Sequence, residues 1–468
     1  MLTISGRNEG RYCDGVSRRN FLQIGGLGMA GFTLPNLLRA EANTGSSHKA
    51  VIHFFLGGGP SQSEIFPNLE APARYRTTFR RISTKIPGMP LCEHMPRVAK
   101  MADKFVFIPG VHAMVSDHEP HCCYSGAVMR GSGAVQEKAV FDPVGGRPSM
   151  GSYISKLQGS VDGITPPYMT LPNSGKIWLI ARTPGFAGPG FLNKRFAPFT
   201  PGAKLGGAMR LRDITLDELD DRAQLLKSLD RLKADIDGSG ELAAADTFSQ
   251  RALDVIRSKK LAEALDLSKE NPKVVERYKN PGWGVPKGPN YDAGVNLGLL
   301  RARRLVEAGA RYVSAGYHGW DTHQANDQIH AGKLPVLDAG LATLVSDLEE
   351  RGMLDDVTVL VWGEMGRLKP YSPPAKEETF NTGLFGRGTD HWAEAAPCFM
   401  AGGGMKVGQC IGKLDRHGMN NTGRPVHNHE VLATVYHNLG IDVTKVKVTD
   451  PKGRPHYLVK KPPIKELI

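Results

Sequence analysis

Five short segments of this sequence are rich in the side chains that bind metal ions, namely aspartate, glutamate and histidine. The segments are Ser61-Gln-Ser-Glu64, the stretch from His112 to His121, His318-Gly-Trp-Asp-Thr-His323, Gly363-Glu-Met-Gly-Arg367 and Gly388-Thr-Asp-His-Trp392. Mixed sets of carboxylates and neutral imidazoles suit zinc, manganese or iron rather than calcium. A single Asp-x-His pair in a loop is more often a hydrogen-bonded turn than a metal site, so the position of these segments in the fold decides their meaning.

Apolar runs and helical periods indicate how those segments are positioned. The apolar runs that predict buried strands are Ala50–Leu56, Phe105–Ile108, Tyr312–Ala315, Val357–Trp362 and Cys398–Ala401. The intervening helical periods are Leu297–Ala308, Leu334–Arg351 and Glu430–Leu439. This alternation predicts an α/β fold with a mostly parallel central sheet and helices on both faces. Because ligands bind beyond the carboxyl ends of such strands, we expect the polar segments to meet at one edge and form a functional site.

A charged region with a helical period, about 213–280, interrupts this alternation. Its leucines include Leu216, Leu219 and Leu226, which recur at the spacing of an amphipathic helix. We interpret the region as a helical insertion over the sheet, within one α/β domain that covers residues 43–468.

The first 42 residues have the pattern of a twin-arginine signal peptide. Arg18 and Arg19 directly precede an apolar stretch, 21–38, which several glycines and Pro35 weaken, and Ala40-Glu-Ala42 follows as a small-x-small cleavage site. A membrane anchor would need roughly 20 strongly apolar residues. We therefore expect export through the twin-arginine machinery to the periplasm, with no integral membrane segment after cleavage.

The charge and the cysteines exclude some classes of function. The chain has a formal net charge of +12, and removing residues 1–42, with five basic and three acidic side chains, lowers this to +10. The positive charges are scattered and no basic run is interleaved with aromatic residues, so nucleic-acid binding is not expected. Five cysteines remain after cleavage, and their odd number and spacing argue against a disulfide framework or a zinc ribbon.

An ordered series of motifs resembles the domain-of-unknown-function 1501 family. The motifs are Gly58-Gly-Pro-Ser61, Leu91-Cys-Glu-His-Met-Pro96, His318-Gly-Trp-Asp-Thr-His323, Gly363-Glu-Met-Gly-Arg367, Asp390-His-Trp392 and Ala401-Gly-Gly-Gly404. The resemblance runs from about Lys49 to Ile468. It implies membership of the alkaline phosphatase and sulfatase superfamily, whose members bind one or two metals at strand ends and cleave phosphate or sulfate esters.

The resemblance also implies roles for individual residues. The implied metal ligands are Glu64, Asp321, His323, Glu364 and His391. The segment ending Tyr124-Ser-Gly126 resembles the close of the sulfatase signature, and its spacing points back to Ser116 as a nucleophile, with His118 as a second catalytic residue. The alternative for Ser116 is a loop hydroxyl that caps the following turn.

Two positions depart from the patterns that the resemblance implies. Met365 stands where many superfamily enzymes have the histidine beside the aspartate, and Gln62-Ser-Glu64 stands where related sequences of the family commonly have histidine and aspartate. Both departures weaken one of the two metal positions. His427 and His429 are alternative ligands, and the competing interpretation is that they are cap neighbours of a helix that starts at Glu430. No Cys-x-Pro-Ser-Arg motif is present, so formylglycine chemistry is not expected.

These observations lead to one principal hypothesis and its rivals. The principal hypothesis is an exported, metal-dependent hydrolase of phosphate or sulfate esters, which takes a small-molecule or polysaccharide substrate and a divalent transition metal, zinc before manganese or iron. The first rival is a non-catalytic exported binding protein that keeps the fold but has lost the second metal position, and a fully degenerate site of this kind would bind no metal. A second rival is a structural component of the cell envelope.

Overall fold

The structure, a computed structural model, describes residues 48–73, 75–127, 146–171, 187–201, 259–279, 293–369 and 388–468. All the elements given below lie in the compact unit Lys49–Ile468. The predicted signal peptide, 1–42, lies outside the described residues, and so does most of the predicted helical insertion.

The described residues form short and long strands with helices between them. The strands are β1 Ala50–Phe55, β2 Arg81–Ile82, β3 Leu91–Cys92, β4 Phe105–His112, β5 Tyr168–Thr170, β6 Tyr312–Gly316, β7 Val357–Trp362, β8 Gly366–Leu368, β9 Asp390–Trp392, β10 Ala396–Gly402, β11 Gln409–Cys410, β12 Lys413–Leu414, β13 Asn421–Thr422, β14 Val426–His427, β15 Lys447–Thr449 and β16 Pro455–Tyr457. The α-helices are α1 Gln62–Ile65, α2 Pro96–Lys100, α3 His121–Tyr124, α4 Met150–Gln158, α5 Lys259–Leu265, α6 Pro272–Lys279, α7 Ala293–Glu307, α8 Asn326–Glu350 and α9 Asn428–Asn438. Short 3₁₀ helices cover Ala102–Lys104, Lys194–Phe196 and Leu267–Lys269.

The central sheet has the strand order β11-β4-β10-β7-β1-β6-β5, with β14 paired to β4. Strand β1 lies in the middle and pairs in parallel with β6 and β7. All six of its residues are buried, as the continuous apolar run predicts for a central strand. In this sheet only β10 runs antiparallel to its neighbours, β4 and β7. The predicted mostly parallel α/β sheet is therefore confirmed.

A hydrophobic core covers each face of this sheet. The alternate β1 residues Ile52 and Phe54 join one core, to which α7 and α8 contribute leucines such as Leu299 and Leu341. Val51 and Phe55 join the other core, together with residues of α4 and α9. Successive side chains of a strand point to opposite faces, so a fully apolar strand requires a helical layer on each side.

The direction of β10 decides where the segment before it lies. Beyond the carboxyl ends of β1, β4, β6 and β7 is the edge at which the polar segments were expected to meet. Because β10 runs the other way, its amino end lies at that same edge, and the hairpin formed by β8 and β9 precedes it there. The sequence predicted the strand at 398–401 without indicating its direction.

The structure also bears on one predicted helix boundary, on the insertion, on the cysteines and on membrane crossing. Helix α8 begins at Asn326, eight residues before the predicted Leu334, and contains Pro335. Of the predicted insertion, only 259–279 is described, and it contains α5 and α6.

The five cysteines of the described residues are all free thiols, in agreement with the prediction that the chain has no disulfide framework. None of the described helices combines the length and the apolar character that a membrane crossing needs.

Candidate functional site

Asp321 lies at the centre of a polar cluster just beyond the carboxyl end of β6. Its Oδ1 atom is 3.0 Å from His323 Nε2, 3.2 Å from His391 Nε2 and 3.0 Å from Arg367 Nη1. Its Oδ2 atom is 3.1 Å from His118 Nε2. Four segments that are remote in sequence therefore meet on one carboxylate.

Three of these atoms form a compact triangle of potential metal ligands. Asp321 Oδ1, His323 Nε2 and His391 Nε2 are separated by 3.0, 3.2 and 3.1 Å. Ligands at the ~2.0–2.1 Å distance typical of zinc stand roughly 3.3 Å apart on the face of a tetrahedron. The triangle thus has nearly the size that a tetrahedral zinc ion requires, and its mixed oxygen and nitrogen donors suit that ion.

Other residues at the same edge have ligand atoms within reach of this triangle. Besides this triangle, two further groups of described residues place their ligand atoms within 4.8 Å of one another. One group is His118, Asp321 and His391, and the other is His323, Asp390 and His391. The His323 side chain is 40% exposed, whereas those of Asp321 and His391 are 16% exposed. The cluster is thus open to solvent on one side, as a catalytic metal site must be.

Glu364 follows β7 and reaches the cluster through His118. It is fully buried, and its Oε1 atom accepts a hydrogen bond from the Gly58 N–H at 2.8 Å and lies 3.4 Å from His118 Nδ1. Its Oε2 atom is also buried and has no hydrogen-bond partner among the described residues. A buried carboxylate oxygen without a partner is costly, and a bound cation would satisfy it.

The carboxylates control the protonation of His118. Burial by itself lowers the pKa of this histidine, but its hydrogen bonds to Asp321 and Glu364 raise the pKa more, to about 9. Burial likewise opposes ionisation of Asp321, but hydrogen bonds from His118 and His391 hold the pKa of that carboxyl well below its usual value. Without a metal, an imidazolium therefore lies between two carboxylates.

Arg367 supplies a second positive charge beside Asp321, in addition to the protonated His118. Its guanidinium is buried and donates to the Gly58 carbonyl oxygen as well as to Asp321. It also donates from Nε to the Thr389 hydroxyl and from Nη2 to the Thr389 carbonyl, both at 3.0 Å. Arg367 faces His391 across the β8–β9 pairing, which explains why both reach Asp321.

The Gly58-Gly59 pair allows the backbone after β1 to pass close to Asp321 and Met365. Gly58 has a φ of 111°, and a Cβ atom there would lie 2.5 Å from the Asp321 backbone nitrogen. Gly59 has a φ of 81°, and a Cβ atom there would lie 2.4 Å from Met365 Cγ. Only glycine combines these dihedral angles with that space.

Glu64, one of the five ligands implied by the resemblance, has a different neighbour. Its carboxylate is fully buried and forms an ion pair with Lys369, which is 7% exposed. Burial raises the pKa of Glu64, but the positive charges of Lys369 and His330 lower it more, to about 2. Glu64 is not among the two potential metal-binding groups of the described residues.

The two predicted catalytic residues lie together in the loop after β4. Ser116 is exposed, and its backbone carbonyl is 3.2 Å from His391 Nδ1. His118 bridges Asp321 and Glu364, as described above. The loop thus brings both residues to the cluster, and their catalytic roles remain predictions.

Gln62 and Met365, which depart from the patterns of the family and the superfamily, both have structural contacts. Gln62 binds the backbone of Arg367, and Met365 is fully buried against Gly59. Of the alternative ligands, His427 caps helix α9. His429 lies between the Gly126 carbonyl and the Lys460 N–H, at 2.6 and 3.0 Å.

Sequence reasoning missed two members of the cluster. Arg367 and Asp390 were quoted in motifs but received no role. Asp390 Oδ1 lies 3.9 Å from His323 Nδ1 and accepts from the His391 N–H at 2.8 Å. Their position next to Glu364 and His391 in the motifs was the available signal, but the pairing of β8 with β9 was needed to interpret it.

Comparison with known proteins identifies the family. The profile of a family described as protein of unknown function, DUF1501, matches residues 48–468. The chain belongs to this family, which confirms the resemblance seen in its motifs. No curated protein matches the chain.

Several solved structures are similar to this chain at low sequence identity and low TM-score. The lipoteichoic acid synthase LtaP from Listeria monocytogenes is 12% identical, with a TM-score of 0.36, over 84% of this chain and 72% of that chain. The PsFucS1 sulfatase from Pseudoalteromonas sp. is 12% identical, with a TM-score of 0.32, over 86% and 70%. Murine ectonucleotide pyrophosphatase/phosphodiesterase 5 is 9% identical, with a TM-score of 0.33, over 84% and 95%. Likeness at this level assigns no activity to this chain.

Proposed function

We propose that this chain is an exported, metal-dependent hydrolase of phosphate or sulfate esters. The triangle of Asp321 Oδ1, His323 Nε2 and His391 Nε2 carries the proposal, because its edges of 3.0 to 3.2 Å match a metal-binding face that is open to solvent. The buried, unpartnered Oε2 atom of Glu364 supports a cation nearby.

The proposed cofactor is one divalent transition metal, zinc before manganese or iron. Asp321, His323 and His391 would hold it, with Glu364 as a further acidic residue of the site. When bound, such an ion polarises a phosphoryl or sulfuryl oxygen and stabilises negative charge as the ester breaks.

Ser116 and His118 have the proposed chemical roles. The exposed Ser116 hydroxyl is the nucleophile, and the contact between its carbonyl and His391 supports its placement beside the cluster. Its oxygen would bond to phosphorus or sulfur as the bond to the leaving oxygen breaks, and its proton would pass to solvent. Water, giving a proton to the then neutral His118, would release the phosphate or sulfate, and solvent would reprotonate Ser116. His118 holds a proton between Asp321 and Glu364 and passes it to the leaving oxygen. The substrate class is a small-molecule or polysaccharide ester.

One observation favours the alternative, a non-catalytic exported binding or cell-envelope protein with a degenerate metal site. Arg367 Nη1 lies 3.0 Å from Asp321 Oδ1, so a guanidinium already neutralises the central carboxylate. Gln62 and Met365 are also committed to structural contacts. These features favour at most one metal position.

Metal analysis and hydrolysis assays on matched variants test the proposal. His323 and His456 each have a side chain 40% exposed and a contact of 3.0 Å with an aspartate, but only His323 belongs to the cluster. We expect His323→Ala to lose bound metal and activity on aryl phosphates or sulfates, while His456→Ala keeps both. Metal content is measured by mass spectrometry on the purified chain, before and after loading with zinc, manganese or iron.

The outcomes separate the hypotheses. Stoichiometric metal with ester hydrolysis supports the hydrolase. Metal without hydrolysis of any aryl phosphate monoester, diester or sulfate favours the binding protein. A wild-type chain that takes up none of the three metals overturns the metal site itself.

Export is tested separately with residues 1–42. Fused to a reporter that folds in the cytoplasm, they should direct it to the periplasm of a strain with the twin-arginine machinery. Replacement of Arg18 and Arg19 by lysine should abolish that transport. Export that persists in a strain without the machinery contradicts this part of the proposal.

A further inference from the structure

An aromatic cleft lies on the β8–β9 hairpin, outside the Asp321 cluster. Its walls include Tyr75, Trp392 and His417, and its polar lining includes Lys369 and Asn420. Its volume is about 190 Å³. Pockets for drug-sized ligands occupy ~300–1,000 Å³, so this cleft has room for about one ring.

The aromatic walls are held in place before any ligand binds. The Trp392 indole donates to the Met419 carbonyl at 2.6 Å. The Tyr75 and His417 rings contact each other with centroids 4.7 Å apart and planes inclined by 54°. Because these two rings touch, no ligand ring can be sandwiched between them, so a ligand would contact the aromatic side chains from the cleft.

The polar lining favours a neutral ligand with hydroxyl groups. Lys369 is the cation of the cleft, but Glu64 neutralises it from the buried side. Asn420, whose Nδ2 donates to Asp415, adds an amide oxygen, and His417 adds an imidazole, and both groups are able to hydrogen-bond hydroxyl groups. An anionic group would meet no net positive charge from the Lys369–Glu64 pair.

The cleft and the Asp321 cluster are built from neighbouring residues of the same hairpin. Arg367 and His391 are paired across β8 and β9, and both contact Asp321. The next residues, Leu368 and Trp392, line the cleft. The cleft is therefore lined by residues next in sequence to Arg367 and His391, and none of its lining residues belongs to the Asp321 cluster.

We propose that this cleft binds one neutral sugar ring of a polysaccharide. As a subsite for a substrate it rests on the proposed hydrolase function, but sugar binding itself requires neither metal nor hydrolysis. The proposal also accounts for Glu64, whose carboxylate holds the Lys369 side chain that lines the cleft.

Calorimetric titration of the full chain, treated with a chelator, tests the proposal. The probes are glucose, galactose, mannose, xylose, N-acetylglucosamine and their oligomers up to tetramers, with adenosine and uridine as flat-ring competitors. We expect at least one sugar to bind. Tyr75→Ala and His417→Ala should each weaken that binding at least about tenfold, while Tyr457→Ala, a 45% exposed tyrosine on β16, should not.

Each outcome decides for or against the cleft. The His417 side chain is 30% exposed, so His417→Ala keeps the test valid if Tyr75→Ala does not fold by circular dichroism. Failure of every sugar to bind, equal binding by the cleft variants, or stronger binding of nucleosides overturns the proposal. None of these results bears on metal uptake or ester hydrolysis, which the His323 and His456 variants test independently.

Discussion

The Gln62 side chain binds both backbone groups of Arg367. Its Oε1 atom accepts from the Arg367 N–H at 2.8 Å, and its Nε2 atom donates to the Arg367 carbonyl at 2.9 Å. The same amide also donates to the Gly418 carbonyl at 3.0 Å. Gln62, which departs from the pattern of related sequences of the family, therefore fixes the strand that carries the Arg367 guanidinium to Asp321.

Gln62→Leu should consequently destabilise the protein. The substitution leaves buried backbone groups of Arg367 and Gly418 without partners, at about 1–3 kcal/mol for each buried group. We expect the free energy of unfolding in urea to fall by about 3 kcal/mol. Gln409→Leu, at a half-buried amide that donates to Lys406 and Glu466, should cost less than about 1.5 kcal/mol. Equal losses of unfolding free energy in the two variants would show that the Gln62 hydrogen bonds stabilise the protein no more than those of Gln409.

The stability of the chelated protein should fall as the pH rises from about 6.5 to 9. The pKa of His118 is raised to about 9 in the folded protein, so its protonated form stabilises the fold fully below the unfolded pKa near 6.5. That contribution, up to about 3 kcal/mol, is lost as the pH passes through 9. Urea unfolding at pH 6, 7, 8 and 9 measures it.

His118→Gln provides the control for this pH dependence. Glutamine keeps hydrogen-bonding capacity but does not titrate, so the variant should lack the loss between pH 6.5 and 9. A wild-type protein whose stability is constant across this range would contradict the arrangement of His118 between Asp321 and Glu364.

Glu64→Gln separates the two roles available to Glu64. If its partner is Lys369, the variant leaves a buried ammonium unpaired and should cost about 3–5 kcal/mol of stability while metal content is retained. Asp103→Asn, which breaks the exposed pair with Lys85, should cost less than about 1 kcal/mol. Loss of metal in a folded Glu64→Gln protein would instead restore Glu64 as a ligand.

Gly58→Ala should damage both stability and metal uptake. The new Cβ would lie 2.5 Å from the Asp321 nitrogen at a φ of 111°, so the backbone below the cluster must move. We expect a loss of about 2 kcal/mol or more. Gly88→Ala has a φ of 74° but no atom within 4 Å of the new Cβ, so it measures the dihedral cost alone. Similar losses in both variants would rule out the close approach as the cause.

Much of the architecture follows from local sequence patterns. The apolar runs at β1 and β7 predicted buried strands because a strand covered on both faces carries mostly apolar side chains on each face. The same patterns placed Asp321 and Glu364 directly after strands, at the edge where ligands bind. Asp321, His323 and His391 indeed share one cluster.

Other parts of the site depend on contacts that no local pattern encodes. The acidic residue Glu64 follows the first strand as a ligand would, but its side chain points to Lys369. His118 was identified as a catalytic residue, but its position between two carboxylates required the loop after β4 to fold over the cluster. The direction of a carboxylate in a loop depends on side-chain rotamers and on neighbours far away in sequence.

The sequence alone determined the family, the α/β class and the edge of the sheet at which the polar residues gather, because apolar periodicity and motif order are properties of the linear chain. The tertiary structure alone decided that β10 runs antiparallel and returns His391 to that edge. It also decided that Gln62 and Arg367 are joined, and that three ligand atoms lie 3.0 to 3.2 Å apart. Distances at that scale arise from pairing between distant strands, which the linear order of residues does not specify.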